Sequence, residues 1–233
     1  MNVLITGAAS PLGRAVAAHL SERHRLRLTD RRRFVTQCGE FVQSQLGHGK
    51  GTSDLVADID TIIHDPSPGG SAEAADWLDA CTRRTYNLFT AASEAAVRQV
   101  IYISTLDLLA PYAEDLAVTE AYRPLPSTDC LVMGPHLGEF VAREFCQLQA
   151  FRLVCLRLGH LVSSDDIGDA SFDPMWLDVS DAARGIAAVV DAELRPFDVI
   201  HLQSVSARAR FGVDKARRAL GFEPVVDFAD VQT

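Results

Sequence analysis

A chain of 233 residues with 48% hydrophobic content can build one α/β core, with room for at most a small appended lobe. Its formal net charge of −9 argues against a surface that binds nucleic acid at large, and Arg31-Arg32-Arg33 is the one dense basic run. Five cysteines without C-x-x-C spacing read as reduced thiols, the histidines show no metal-binding spacing, and no apolar run reaches the ~18 residues of a membrane span, so the expectation is a cytoplasmic protein with no metal, signal peptide or membrane segment.

Val3-Leu4-Ile5 is an apolar run without alternation, as expected of a strand buried on both faces of a parallel sheet. The turn Thr6-Gly-Ala-Ala-Ser-Pro-Leu-Gly13 then opens a helix through Leu20. Strand, glycine turn and helix in that order are what a dinucleotide-binding fingerprint requires. Gly7 permits the tight turn, Gly13 lets helix and strand pack closely, and the helix start, over Ser10, Pro11 and Leu12, can receive a pyrophosphate on the amides it leaves free. Ser10 stands where the pattern prefers glycine, although its hydroxyl can also donate to phosphate. Asp30 follows at the distance where a carboxylate binds the adenosine ribose.

Leu26 to Thr29 reads as the second strand and Phe41 to Leu46 as the third, with a short helix over Ser53 to Asp58 capped by Thr52 or Ser53. Thr61 to Ile63 is the fourth strand, ending at His64-Asp65-Pro66, and Pro66 to Ser71 is a loop by composition. Helical spacing covers Ala72 to Ala96, and Val100 to Ser104 is the fifth strand. A long stretch interrupted by Pro111, Pro124, Pro126 and Pro135 precedes a helix over His136 to Gln149. Phe151 to Leu158 is the sixth strand, followed by a helix over Asp178 to Val190, a strand over Val199 to Leu202 and a helix over Asp214 to Leu220 that Gly221 ends. The alternation predicts a Rossmann-type doubly wound parallel sheet over residues 1–233, with ligands at the carboxyl ends of the strands near Gly7, Asp30, His64 and Ser104.

Several segments together resemble the NAD-dependent epimerase/dehydratase family of the extended short-chain dehydrogenase/reductase superfamily. They are Thr6 to Gly13, D-T-I-I-H at 60–64, T-Y-N-L-F-T-A-A at 85–92 and V-I-Y-I-S-T at 100–105, then L-R-L-G at 156–159, W-L-D-V-S-D-A-A-R-G-I at 176–186 and K-A-R-R-A-L-G-F-E-P at 215–224. The resemblance implies a nicotinamide dinucleotide cofactor and a C-terminal substrate lobe. That lobe, at about 159–233, is short here, with 16 residues between Gly159 and Trp176 where the family leads one to expect a long insertion. In the family a Tyr-x-x-x-Lys pair transfers the proton. This chain has only two lysines, Lys50 and Lys215, and neither lies four residues after a tyrosine. Aligning on Gly138-Glu139 places Leu131 and Pro135 at those two positions. The family's serine or threonine falls near Leu106, with a one-residue slip reaching Thr105. Gln45 stands where the family often has an aspartate for adenine, and the segment from His64 to Ser67 replaces small residues beside the cofactor.

The expected role is therefore an NAD(P)-binding, regulatory member without the standard catalysis. The alternative is an oxidoreductase, epimerase or dehydratase of a small or sugar-like substrate whose acid/base role has moved, with Thr105, His136, Asp129, His64 and Asp65 as candidates. A scaffold without cofactor is the remaining reading. Asp30 repels a 2′-phosphate and so favours NAD over NADP, while Arg31 and its neighbours pull the other way. As commonly in the superfamily, the helices at 75–96 and 136–149 are expected to pair into a homodimer.

Overall fold

The structure is a computed structural model that describes residues 1–69, 72–164, 167, 172–206 and 209–228. Among the described residues its strands are β1 (Asn2–Ile5), β2 (Arg25–Asp30), β3 (Glu40–Gln43), β4 (Thr61–His64), β5 (Gln99–Thr105), β6 (Arg152–Leu158), β7 (His160–Val162), β8 (Trp176–Asp178) and β9 (Phe197–Leu202). The helices are α1 (Pro11–Leu20), α2 (Lys50–Val56), α3 (Ala74–Asp79), α4 (Thr85–Glu94), α5 (Cys130–Gln147), α6 (Val179–Asp191) and α7 (Asp214–Leu220).

Seven strands form one parallel sheet in the order β3-β2-β1-β4-β5-β6-β9, and β7 pairs with β8 in a separate parallel ribbon. The expected Rossmann-type sheet is thus present, and the order reverses direction at β1, where a doubly wound fold binds its ligand. Because successive strand residues face opposite sides, Val3 and Ile5 join the core beneath α1 and α6, whereas Leu4 joins the core beneath α2, α4 and α5. Both faces are covered, which is why these strands read as unbroken apolar runs.

Several boundaries differ from the sequence reading. The helix expected from Ala72 begins at Ala74 and passes through a π turn over Ala80–Arg84, where the Thr85 hydroxyl donates to the Ala80 carbonyl at 2.9 Å. The short second helix starts at Lys50 behind Gly49, so Thr52 and Ser53 lie inside it, and the Thr52 hydroxyl donates back to the Gly47 carbonyl. The third strand stops at Gln43, leaving Gln45 in the loop beyond. The helix placed from His136 starts at Cys130, because Asp129 caps it by accepting from the Leu131 amide at 2.9 Å, and Pro135 lies within it. Gly70 and Ser71 of the Pro66–Ser71 loop, and Asp165 and Asp166 in the short segment before Trp176, lie outside the described residues.

Candidate functional site

The carboxyl ends of β1, β2 and β4 enclose a narrow cleft of about 410 Å³, lined by Thr6, Gly7, Asp30, Arg31, Gln45 and Asp65 among others. Gly7 has φ +64°, a conformation that side chains other than glycine's resist. At Gly13 a Cβ would stand 2.5 Å from the Gly7 carbonyl oxygen, so only glycine lets α1 start this close to the turn. Ser10 caps α1, its hydroxyl accepting from the Gly13 amide at 2.9 Å. Pro11 has no N–H, and the Arg14 amide goes to the Ser10 carbonyl, so in the first turn Leu12 carries the amide left for a phosphate.

Asp30 ends β2 with its side chain turned to the glycine turn: Oδ2 accepts from the Ala9 amide at 3.0 Å and Oδ1 from the Arg32 amide at 2.8 Å. Oδ1 also takes the Arg32 Nε at 3.4 Å, whereas Oδ2 keeps a second lone pair, so a ribose hydroxyl can still be received there. The three arginines are all engaged. Arg31 pairs with Asp76 at 2.7 Å and donates to the Pro68 carbonyl, Arg32 lies 3.4 Å from Asp30, and Arg33 donates to Gln43. Arg84, from the π turn, bridges Asp76 and Asp79 and ties this side of the cleft to α3. The loop carrying Gln45 is pinned by the Asn87 side chain of α4, which donates to the Leu46 carbonyl at 3.0 Å.

His64 and Asp65 end β4. The His64 ring is buried, with Nδ1 2.8 Å from the Thr6 hydroxyl and Nε2 2.9 Å from the Thr85 hydroxyl. Each hydroxyl also has a backbone carbonyl in reach, Ala80 for Thr85 at 2.9 Å and Asp65 for Thr6 at 3.1 Å, so a neutral ring finds one donor and one acceptor in either tautomer. Burial pushes its pKa down to about 3, so the ring stays neutral and braces β1, β4 and the π turn. The Asp65 carboxylate lies against Gly7 and accepts from the Ser67 amide. Burial, with Asp30 nearby adding repulsion, pushes its pKa up to about 6.

At the ends of β5 and β6 two polar arrays stand side by side. In the first, Ser104 Oγ donates to Glu139 at 2.7 Å, and Glu139 binds Arg157 through two hydrogen bonds of 2.8 and 2.7 Å. In the second, the Thr105 hydroxyl donates to Asp107 at 2.9 Å, and His160 is held between Asp107 (2.8 Å from Nε2) and Asp173 (2.5 Å from Nδ1). The hydrogen bond to Asp107, reinforced by Asp173, raises the His160 pKa to about 9 against the opposing effect of burial.

A sequence model of the NAD dependent epimerase/dehydratase family matches residues 3–174. The chain belongs to that family. A curated relative, NAD-dependent glucose-6-phosphate dehydrogenase of Haloferax volcanii, is 24% identical over 95% of this chain and 92% of its own length. Among solved structures, uronate dehydrogenase from Agrobacterium tumefaciens superposes with a TM-score of 0.83 at 21% identity, over 97% of this chain and 85% of that one. UDP-glucuronic acid 4-epimerase from Bacillus cereus, in complex with NAD, gives 0.81 at 18% identity, over 99% and 95%. The structural likenesses establish the Rossmann-type fold.

Leu131 is about half exposed and Pro135 is buried in α5, where the resemblance places tyrosine and lysine. Neither lysine compensates: Lys215 donates to Asp198 and the Val199 carbonyl, and Lys50 is exposed at the start of α2. Of the relocated acid/base candidates, His64 is sealed in the core, Asp129 caps α5, and His136 faces a pocket between α5 and β9 that shares no lining residue with the cleft. Asp65 alone of these four lines the cleft with a raised pKa. The array around His160 escaped the sequence reading. Its partners lie 53 and 13 residues away, and the available signal was the position of His160 just beyond β6, at the carboxyl end of the sheet.

Proposed function

We propose that the chain is an NAD-dependent oxidoreductase of a small sugar or sugar acid, in which Thr105, Asp107 and His160 take over the proton transfer that the family assigns to tyrosine and lysine. The observation that carries this reading is the hydrogen-bonded path from the Thr105 hydroxyl through Asp107 to His160 at the carboxyl end of the sheet. The enzymatic alternative also fits the company the chain keeps, since the curated relative is a dehydrogenase.

NAD would be held by Gly7, Ser10, Pro11, Leu12 and Gly13 at the turn, by Asp30 at the ribose, by Arg31 and Gln45 around the cleft and by Ser104 at the end of β5, with His64 bracing the cleft from behind rather than touching the cofactor. The fit rests on the Gly7–Gly13 approach that a Cβ would fill. When bound, the dinucleotide accepts or returns a hydride. The chain's own groups move the proton: Thr105 exchanges it with the substrate oxygen while passing its own hydrogen to Asp107, and His160 balances the charge. Below about pH 9 His160 is an imidazolium, suited to donating a proton during carbonyl reduction. Above it the neutral ring accepts one, so alcohol oxidation should accelerate as pH rises through about 9.

The short segment between Gly159 and Trp176 suits a compact substrate rather than a nucleotide sugar. The exposed Tyr86 on α4, Leu137 on α5 and Leu148 just beyond α5 support a homodimer through those helices. A second reading, dinucleotide binding without turnover, is favoured by Leu131 and Pro135. A hydride-transfer assay on wild type and His160→Asn separates the two: turnover that the substitution removes supports the enzyme, and binding without turnover supports the second reading.

A further inference from the structure

Between α5 and the β6–β9 edge of the sheet lies an open pocket of about 770 Å³ that the proposed reaction does not use. Its buried wall is Arg157, only 3% exposed, whose Nε and Nη2 are satisfied by Glu139 while Nη1 has no hydrogen-bond partner. The His136 Nδ1 beside it is likewise buried and unpartnered. At the rim stand Arg123 and Arg143, both exposed. The Arg143 guanidinium lies 4.9 Å from the centre of the Phe197 ring. Among the described residues no hydrogen bond or ion pair engages the guanidinium of Arg123 or Arg143. Pro124, Pro126, Phe140 and Phe197 supply the apolar lining.

Three guanidinium groups therefore face one carboxylate, Glu139, which Arg157 and Ser104 already occupy. Glu120, the other carboxylate near Arg157, accepts the backbone amide of His201 and does not line the pocket. A buried N–H without a partner is rare in folded proteins and marks a place where something else completes the bond. We infer that this pocket is a binding site for a small oxyanion, a phosphate monoester or a carboxylate, with its charge set among Arg123, Arg143 and Arg157 and its body against Phe140 and Phe197. Guanidinium forks suit both anions, because each presents paired oxygens. The inference goes beyond the proposed oxidoreductase activity and does not depend on turnover.

Calorimetric titration of the full chain with inorganic phosphate, glucose 6-phosphate and glucuronate tests it, in wild type, R123Q, R143Q and the double variant. Because both arginines are exposed, these variants retain the fold, which circular dichroism verifies. Binding of at least one anion is expected, weakened about fivefold to tenfold by each substitution and more by both. Tighter binding of the sugar phosphate identifies a phosphate ester as the ligand, and tighter binding of glucuronate identifies a carboxylate. Absence of binding by all three up to about 10 mM, or an affinity unchanged in the double variant, overturns the proposal.

Discussion

His64 and Asp65 are adjacent in the chain, and burial acts on them in opposite directions. It keeps the histidine neutral as a brace between two threonines, and it holds the aspartate's proton up to about pH 6 beside the turn where a diphosphate would pass. Because the Asp65 pKa is raised above its unfolded value of 3.8, the unfolded chain loses this proton first, so the group lowers stability as pH rises from about 4 to about 6. Asp65→Asn should therefore raise the urea midpoint at pH 7 and leave it little changed near pH 3. The same variant should bind NAD more tightly than wild type at pH 8, where the wild-type carboxylate is charged and repels the phosphates, with the advantage disappearing below about pH 6. In the proposed site Asp30 would act with the opposite sign, as a charge that serves binding. Asp30→Ala should weaken NAD more than NADP in calorimetric titration, and equal weakening of both would remove it from the ribose site.

At the scale of elements, α5 and its contact with β5 hold the second half of the site together. A Cβ on Gly138 would stand 1.8 Å from the Tyr102 hydroxyl oxygen and 3.0 Å from the Cys81 carbonyl, so the helix lies on the sheet only because residue 138 has no side chain. Tyr102 is fully buried and has no room to retreat. Gly138→Ala should cost about 3 kcal/mol in chemical denaturation, and a loss near zero would show that the helix can shift outward freely. One residue further on, Glu139 ties the ends of β5 and β6 to the same helix. The apolar periodicity of α5 is legible in the sequence, but its start is not. Pro135 reads as a breaker, whereas Asp129 caps the helix upstream and the chain accepts proline within it. The π turn after α3 is hidden for a similar reason, since it follows from hydroxyl-to-carbonyl bonds rather than from spacing.

For the molecule as a whole, the alternation of strands and helices and the glycine turn can be read from the residues because central strands such as β1 and β5 carry apolar runs. The ribbon of β7 and β8 is too short to carry a period of its own, and His160, which opens β7, meets Asp107 from the far side of the sequence. Long-range contact also fixes the C-terminal segment: the buried Asp181 accepts from the amides of Val225 and Val226 and from the Ser204 hydroxyl. The apolar residues left exposed on α4 and α5 predict a dimer, and sedimentation as a monomer at about 10 µM would count against it. The most direct measurement of all is nicotinamide absorbance on mixing the full chain with NAD and, separately, glucuronate, glucose 6-phosphate and neutral aldoses. Reduction of NAD with at least one of them is predicted, falling by about 100-fold in His160→Asn with NAD affinity unchanged. Binding of NAD without reduction by any of them, or turnover indifferent to that substitution, would contradict the assignment of proton transfer to His160.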